Sequence, residues 1–196
     1  MEPLDPTKAA AALVAVQRGF PDRPFPAGRD VVRAGRWHDR AGQGQRHEDP
    51  EAAGVARFFA GTPWTQVAGA SLLGWGMAGV ALRHLTPEAL AYYLPAYLTA
   101  FLAEPLDPVS FAVLESAVSV LTAPESSGGP PPGGRSDAQW QAMEQERAGR
   151  FQAFASALDG AQRASVRAFL EAVEPLFEEP GMDNPVRTAL ERYWAR

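Results

Sequence analysis

The chain has 196 residues, of which 46% are hydrophobic, and this is enough for one domain with a substantial core. Its 18 Lys and Arg residues against 23 Asp and Glu give a net charge of −5, so it lacks the positive excess of a nucleic-acid-binding protein. The absence of Cys excludes disulfides, thiol nucleophiles and Cys-ligated zinc. No secretory signal is recognisable, so we expect a cytoplasmic location, and the bias against Lys and Ile is typical of a GC-rich bacterial genome.

Proline follows a residue that can cap a helix at six places, and each place predicts a helix start. The side-chain oxygen of the cap accepts a hydrogen bond from a free amide, while the proline lacks an amide and already has a helical φ angle. Glycines at positions 19 and 61 are expected to close the first two helices. The six pairs are Asp5-Pro6, Asp49-Pro50, Thr62-Pro63, Thr86-Pro87, Asp107-Pro108 and Asn184-Pro185.

Apolar residues recur at helical spacing after these starts and again near the end of the chain. The clearest stripe follows Pro87 and consists of Leu90, Tyr93, Leu94, Tyr97, Leu98, Phe101 and Leu102. No segment alternates polar and apolar residues in the manner of a strand. The sequence therefore predicts an all-α fold, a single compact bundle of about eight or nine helices.

Two segments interrupt the helical pattern. Residues 21–50 predict a long irregular N-terminal loop, and residues 124–135, rich in Gly, Pro and Ser, predict a flexible internal linker. The linker divides the chain into 1–123 and 136–196, and the second part is too small to be expected to fold alone, so residues 1–196 are predicted to form one domain.

A membrane span is the alternative for one uncharged segment. Residues 58–82 carry no charge over a length that could cross a bilayer, but they include Pro63, Gln66 and several glycines, and the mean hydropathy of the chain is −0.20. Buried helices are the favoured interpretation, and no membrane interaction is predicted.

Two short motifs lie at the start and in the middle of the helix predicted to begin at Pro87. They are Leu85-Thr86-Pro87-Glu88 and Tyr93-Leu94-Pro95-Ala96. In these motifs the chain resembles a bacterial family of small proteins with a Leu-Thr/Ser-Pro-Glu and Tyr-Leu-Pro-Ala signature and no established activity. The resemblance extends over most of the chain outside the 124–135 segment, and it implies family membership without implying a chemistry.

A histidine-rich part of the N-terminal loop is a candidate metal site. His38 and His47 each stand beside acidic residues, and imidazole with carboxylate suits a divalent transition metal. A solvated polar loop is the favoured interpretation, with the metal site kept as the alternative. No nucleotide-binding or other cofactor motif is present, and no cofactor is predicted.

The residues around the start of the helix predicted to begin at Pro87 are a candidate binding cleft. They combine cationic, imidazole, carboxylate and phenol groups, which also suit general acid-base chemistry. Their ordinary structural roles compete with this, because a first-turn glutamate favours the helix dipole and the tyrosines belong to the apolar stripe. The residues are Arg83, His84, Glu88, Tyr92 and Tyr93.

A run of acidic residues near the C-terminus forms a third candidate. Glu171, Glu174 and Glu178 share one face of a helix, and this face would receive a basic protein partner. Together these observations predict a non-catalytic binding protein of the immunity or regulatory kind. The alternative is a small hydrolase that uses the His38/His47 loop or the His84 cleft.

Overall fold

The computed structural model describes residues 4–33, 37–38, 44–45, 49–125 and 137–195, and the side chains of 4–33, 49–125 and 138–195. Within these residues the chain forms nine α-helices and a two-residue antiparallel ladder between β1 (Trp37–His38) and β2 (Gly44–Gln45). The all-α prediction is confirmed. The helices are α1 (Pro6–Gly19), α2 (Pro50–Phe59), α3 (Gly69–Leu73), α4 (Ala78–His84), α5 (Pro87–Ala103), α6 (Pro108–Leu121), α7 (Asp137–Ala157), α8 (Gly160–Val173) and α9 (Pro185–Ala189).

Five of the six predicted helix starts are confirmed, each with a side chain that accepts a backbone amide. These caps are Asp5, Asp49, Thr86, Asp107 and Asn184. The Thr62-Pro63 prediction is wrong, because only a single 3-10 turn (Trp64–Gln66) follows it, and no side chain accepts an amide there. One start was missed: Asp159 opens α8 through a capping box with Gln162.

Helix α5 lies at the centre of the core. It packs against α1, α3 and α7, and its large side chains Tyr93, Tyr97 and Phe101 are buried. The Tyr97 hydroxyl donates a hydrogen bond to the carbonyl of Ala78 at 3.0 Å, which satisfies both buried groups. A helix that is apolar on most of its faces has to be enclosed by its neighbours, and this one is.

The C-terminal helices pack onto the N-terminal ones. Helix α8 lies on α1, and α7 lies on α5. Near the chain end, the Trp194 indole N–H donates to the Leu121 carbonyl at 2.6 Å and so joins the last turn to α6. These contacts agree with the expectation of one domain, which stays a prediction. Most of the predicted linker, residues 126–136, lies outside the described residues.

The N-terminal loop is fixed to the junction between α4 and α5. Val32 pairs with Leu85 in an isolated antiparallel bridge, in which the Arg33 amide donates to the His84 carbonyl at 2.9 Å and the Thr86 amide donates to the Val31 carbonyl at 3.0 Å. This bridge places Arg33 beside the end of α4. In the described parts of the chain, no helix combines the length and apolar character needed to cross a bilayer.

Candidate functional site

Four arginine side chains line one cavity of about 460 Å³ between the N-terminal loop, α4, α6 and α7. Arg33 comes from the loop, Arg83 from the last turn of α4, and Arg147 and Arg150 from α7. Here this space is called the arginine cavity. The rest of its lining consists of Leu90, Ser119, Val120, Thr122, Pro124, Phe151 and Phe154.

Backbone contacts bring these arginines together. The bridge to Leu85 places Arg33 so that its Nη2 donates to the Arg83 carbonyl at 2.7 Å, and its Nη1 lies 3.3 Å from Glu146 Oε1. Arg147 and Arg150 are three residues apart on α7, so they share one face of that helix.

Arg150 is the most enclosed of the four guanidinium groups. Its Nη2 donates to the Leu82 carbonyl at 2.7 Å and to the Leu85 carbonyl at 3.4 Å, at the negative end of α4. Burial, together with the positive charges of Arg33 and Arg83, lowers the pKa of Arg150 to about 10, although the nearby Glu146 carboxylate acts in the opposite direction. The group is still protonated at neutral pH, so the cavity holds a positive charge in a partly desolvated place.

Several N–H groups of the arginine cavity have no hydrogen-bond acceptor among the described residues. The guanidinium groups of Arg83 and Arg147 make no hydrogen bond or ion pair to the side chains and backbone that the structure describes. The buried Nε of Arg33 has no acceptor in the same set of residues. Five N–H groups on each guanidinium match carboxylate and phosphate oxygens, so this arrangement suits an oxyanion.

A second cavity of about 600 Å³ adjoins the arginine cavity. The two share Ser119, Thr122, Pro124 and Arg147, which lie around the end of α6 and on α7. Beyond the shared residues, the second cavity is lined by aromatic rings and carboxylates. These include Trp140, Phe177, Glu115, Glu125 and Glu144, together with Arg192, which pairs with Glu125 at 2.8 Å.

The predicted cleft residue His84 joins two helices. Its Nδ1 lies 3.5 Å from Asp49 Oδ2 and its Nε2 lies 3.4 Å from Glu51 Oε2, so the ring connects α4 to the start of α2. Both ring nitrogens therefore face carboxylates, and these contacts give the ring a structural role between the two helices.

The tyrosines of the predicted cleft have backbone partners. The Tyr92 hydroxyl donates to the Arg23 carbonyl at 2.6 Å, and the Tyr93 hydroxyl donates to the Phe59 carbonyl at 2.9 Å. Glu88 lies 3.8 Å from Arg29 on the surface.

The structure does not bring the five predicted cleft residues into one site. Arg83 lines the arginine cavity, while Glu88 and Tyr92 line a separate cavity of about 290 Å³. His84 and Tyr93 line none of the cavities described here.

The three residues of the predicted acidic face each have an arginine partner. Arg167 Nε lies 2.7 Å from Glu171 Oε1, and Arg187 lies 2.9 Å from Glu174 and 3.4 Å from Glu178. These pairs reduce the negative charge that the face presents to a partner.

The histidine-based metal prediction cannot be placed on the structure, since the side chains of His38 and His47 lie outside the described ones. Among the side chains that are described, no group of three or more His, Asp and Glu residues is arranged to hold a metal ion.

Three of the four cavity arginines were missed in the sequence. Arg147 and Arg150 could have been found from the sequence, because their spacing of three residues puts two cations on one face of a helix. Arg33 could not have been found in this way, since only the bridge between Val32 and Leu85 places it in the site.

Comparison with known proteins assigns a family. The model of a family of unknown function, DUF6714, matches residues 12–196. This confirms that the resemblance was to a family without an assigned function, while the bacterial origin and the signature stay predictions. No curated protein and no solved structure matches the chain.

Proposed function

Because the chain belongs to the DUF6714 family, whose function is unknown, we propose a function from the geometry of its site. The protein is a non-catalytic binding protein, and its arginine cavity binds an anionic group of the ligand. The observation that carries this proposal is the convergence of four arginines on one cavity in a chain of net charge −5. Glu146, ion-paired with Arg33, is a carboxylate beside them.

The electrostatics of the cavity support an anionic ligand. Like charges in a partly desolvated place repel one another, and the lowered pKa of Arg150 reflects burial together with this repulsion from Arg33 and Arg83. An oxyanion between the guanidinium groups replaces their mutual repulsion with attraction to the anion. Its oxygens also accept hydrogen bonds from the N–H groups that have no acceptor. Charge-assisted, bidentate contacts of this kind are what arginine provides best.

The contacts of the candidate catalytic groups favour a binding function over the hydrolase alternative. Both nitrogens of His84 face carboxylates, and the hydroxyls of Tyr92 and Tyr93 donate to backbone carbonyls. These contacts give each group a structural role. The alternative that uses the His38/His47 loop involves side chains outside the described ones.

The arginine cavity is also a better candidate than the acidic face for a binding site. Glu171, Glu174 and Glu178 each have an intramolecular cation, whereas Arg83 and Arg147 have no such counterion among the described residues. The charge that remains available for a ligand is therefore positive, and the partner group it favours is acidic.

The test compares thermal unfolding in phosphate and in chloride at equal ionic strength. Phosphate bound to the native cavity raises the melting temperature of the wild-type protein by mass action. We expect the rise to fall by at least about half in Arg147→Gln, because a charge-assisted contact contributes about 1.5–3 kcal/mol. Arg147 is exposed and makes no hydrogen bond or ion pair with the described residues, so its substitution removes no such contact from the fold.

The matched control is Arg167→Gln, which removes an arginine on α8 outside the cavity. It should keep the full rise in melting temperature. An equal rise in all three proteins, or no rise in any, contradicts the proposed function.

A further inference from the structure

One wall of the arginine cavity is apolar. Leu90, Phe151 and Phe154 line it, with Leu90 only 2% exposed and Phe154 only 1% exposed. Val120 on α6 adds a half-buried aliphatic side chain. The cavity thus extends from the four arginines to side chains of the hydrophobic core, and the apolar surface that it still exposes belongs mainly to the half-buried residues Val120 and Pro124.

We propose that the ligand is a small amphiphile, in which one phosphate or carboxylate head is joined to an apolar group. This rests on the proposed function, because the head occupies the arginine cavity as the anionic group. The head binds the guanidinium groups of Arg83 and Arg147, which lack partners among the described residues, and the apolar group packs against the half-buried side chains of Val120 and Pro124. A volume of about 460 Å³ lies within the range of small-molecule pockets.

The apolar group of the ligand would extend into the adjoining cavity. It continues from the shared residues Ser119 and Pro124 toward the rings of Trp140 and Phe177. The carboxylate of Glu115 at that end opposes a second anionic group, while Glu125 is paired with Arg192 in the same cavity. The ligand therefore has its charge at one end and its apolar part toward α9 and the 3-10 turn Glu174–Phe177.

The gain in affinity over inorganic phosphate follows from burial of the ligand's apolar group. Each methylene removed from water multiplies the affinity by about fourfold, so burial of three methylenes gives about 60-fold. An alkyl phosphate with a chain of eight carbons should accordingly bind at least about 50-fold more tightly than inorganic phosphate. An alcohol with the same chain lacks the anion and should bind weakly.

The experiment is calorimetric titration with four probes: octyl phosphate, octanoate, inorganic phosphate and octanol, each below the concentration at which it aggregates. We expect octyl phosphate or octanoate to bind most tightly, and the ratio of the two identifies a phosphate or a carboxylate head. Arg147→Gln should weaken the binding of octyl phosphate and of inorganic phosphate by a similar factor.

A second pair of variants tests the apolar wall. Val120→Ser should weaken the binding of octyl phosphate several-fold more than it weakens that of inorganic phosphate. Val80→Ser changes a partly exposed valine on α4 that does not line either cavity, and it should alter neither.

The outcomes separate this inference from the proposed function. If inorganic phosphate binds as tightly as octyl phosphate and both depend on Arg147, the cavity is a simple anion site, and the amphiphile proposal is wrong while the proposed function stands. If octanol binds as tightly as octyl phosphate, the amphiphile proposal is wrong as well. If none of octyl phosphate, octanoate and inorganic phosphate shows binding that depends on Arg147, both proposals fail.

Discussion

The packing of α1 on α8 requires the absence of a side chain at Gly19. A Cβ atom added there would overlap the Ser165 Oγ and lie 2.9 Å from the Ala161 carbonyl oxygen. The Ser165 hydroxyl can rotate, but the carbonyl belongs to the α8 backbone and cannot move without moving the helix. Gly19→Ala is therefore predicted to force the two helices apart.

The expected loss is worked from two contributions. Overpacking of a dense helix contact costs about 1–3 kcal/mol. Displacing the Ser165 hydroxyl also breaks the hydrogen bond that it donates to the Ala15 carbonyl at 2.7 Å, which contributes about 1 kcal/mol. Alanine returns less than about 1 kcal/mol of helix propensity at the last residue of α1. The net loss is about 2 kcal/mol, a large part of the usual stability of a domain.

The assay is urea unfolding followed by circular dichroism, with Gly149→Ala as the matched control. Nothing lies within 4 Å of a Cβ atom at Gly149, which is exposed inside α7, so alanine there should stabilise by up to about 1 kcal/mol. Adding Ser165→Ala to Gly19→Ala removes one of the two overlaps, and the double variant should lose less than the two single losses combined. A Gly19→Ala protein as stable as the wild type would refute the reasoning.

Three other predictions concern polar groups, two of them buried tyrosines and one a helix cap. Tyr97→Phe removes the hydrogen bond that the buried Tyr97 hydroxyl donates to the Ala78 carbonyl, and it should lower the free energy of unfolding, measured in urea, by about 1 kcal/mol. Burial raises the pKa of Tyr93 to about 12 and also raises the pKa of Tyr97, so with rising pH the unfolded chain loses these protons before the folded chain does. The melting temperature should therefore be constant below pH 10 and fall between about pH 10 and 12. In Tyr93→Phe the fall should be less steep. Asp159→Ala removes the α8 cap and should cost about 1 kcal/mol, while an unchanged unfolding midpoint would contradict the capping box.

The parts of the fold that the sequence predicted depend on neighbouring residues. A cap such as Asp107 and its proline act within one helical turn, so five helix starts could be found without any tertiary information. The Thr62-Pro63 prediction failed because the same local pattern also begins a single 3-10 turn. The cap at Asp159 was missed because it is followed by Gly160 rather than by a proline.

The candidate site could not be predicted in the same way, because its residues come from distant parts of the chain. The predicted cleft joined residues that are close in sequence, but the turn at Thr86 separates α4 from α5, and Tyr93 faces the core while Arg83 lines the arginine cavity. Arg33 reaches that cavity through a backbone bridge, and Arg150 reaches it through the packing of α7 on α5. Charge convergence of this kind is a property of the fold.

The central claim is that the arginine cavity binds an anion, and nuclear magnetic resonance of the arginine Nε–H groups tests it most directly. During a titration with inorganic phosphate, the signals of Arg83, Arg147 and Arg150 are predicted to shift together with one common dissociation constant. The signals of Arg167 and Arg187, which pair with glutamates on the surface, should stay in place. Equal shifts at all of these arginines, or shifts confined to the surface pairs, would contradict the account.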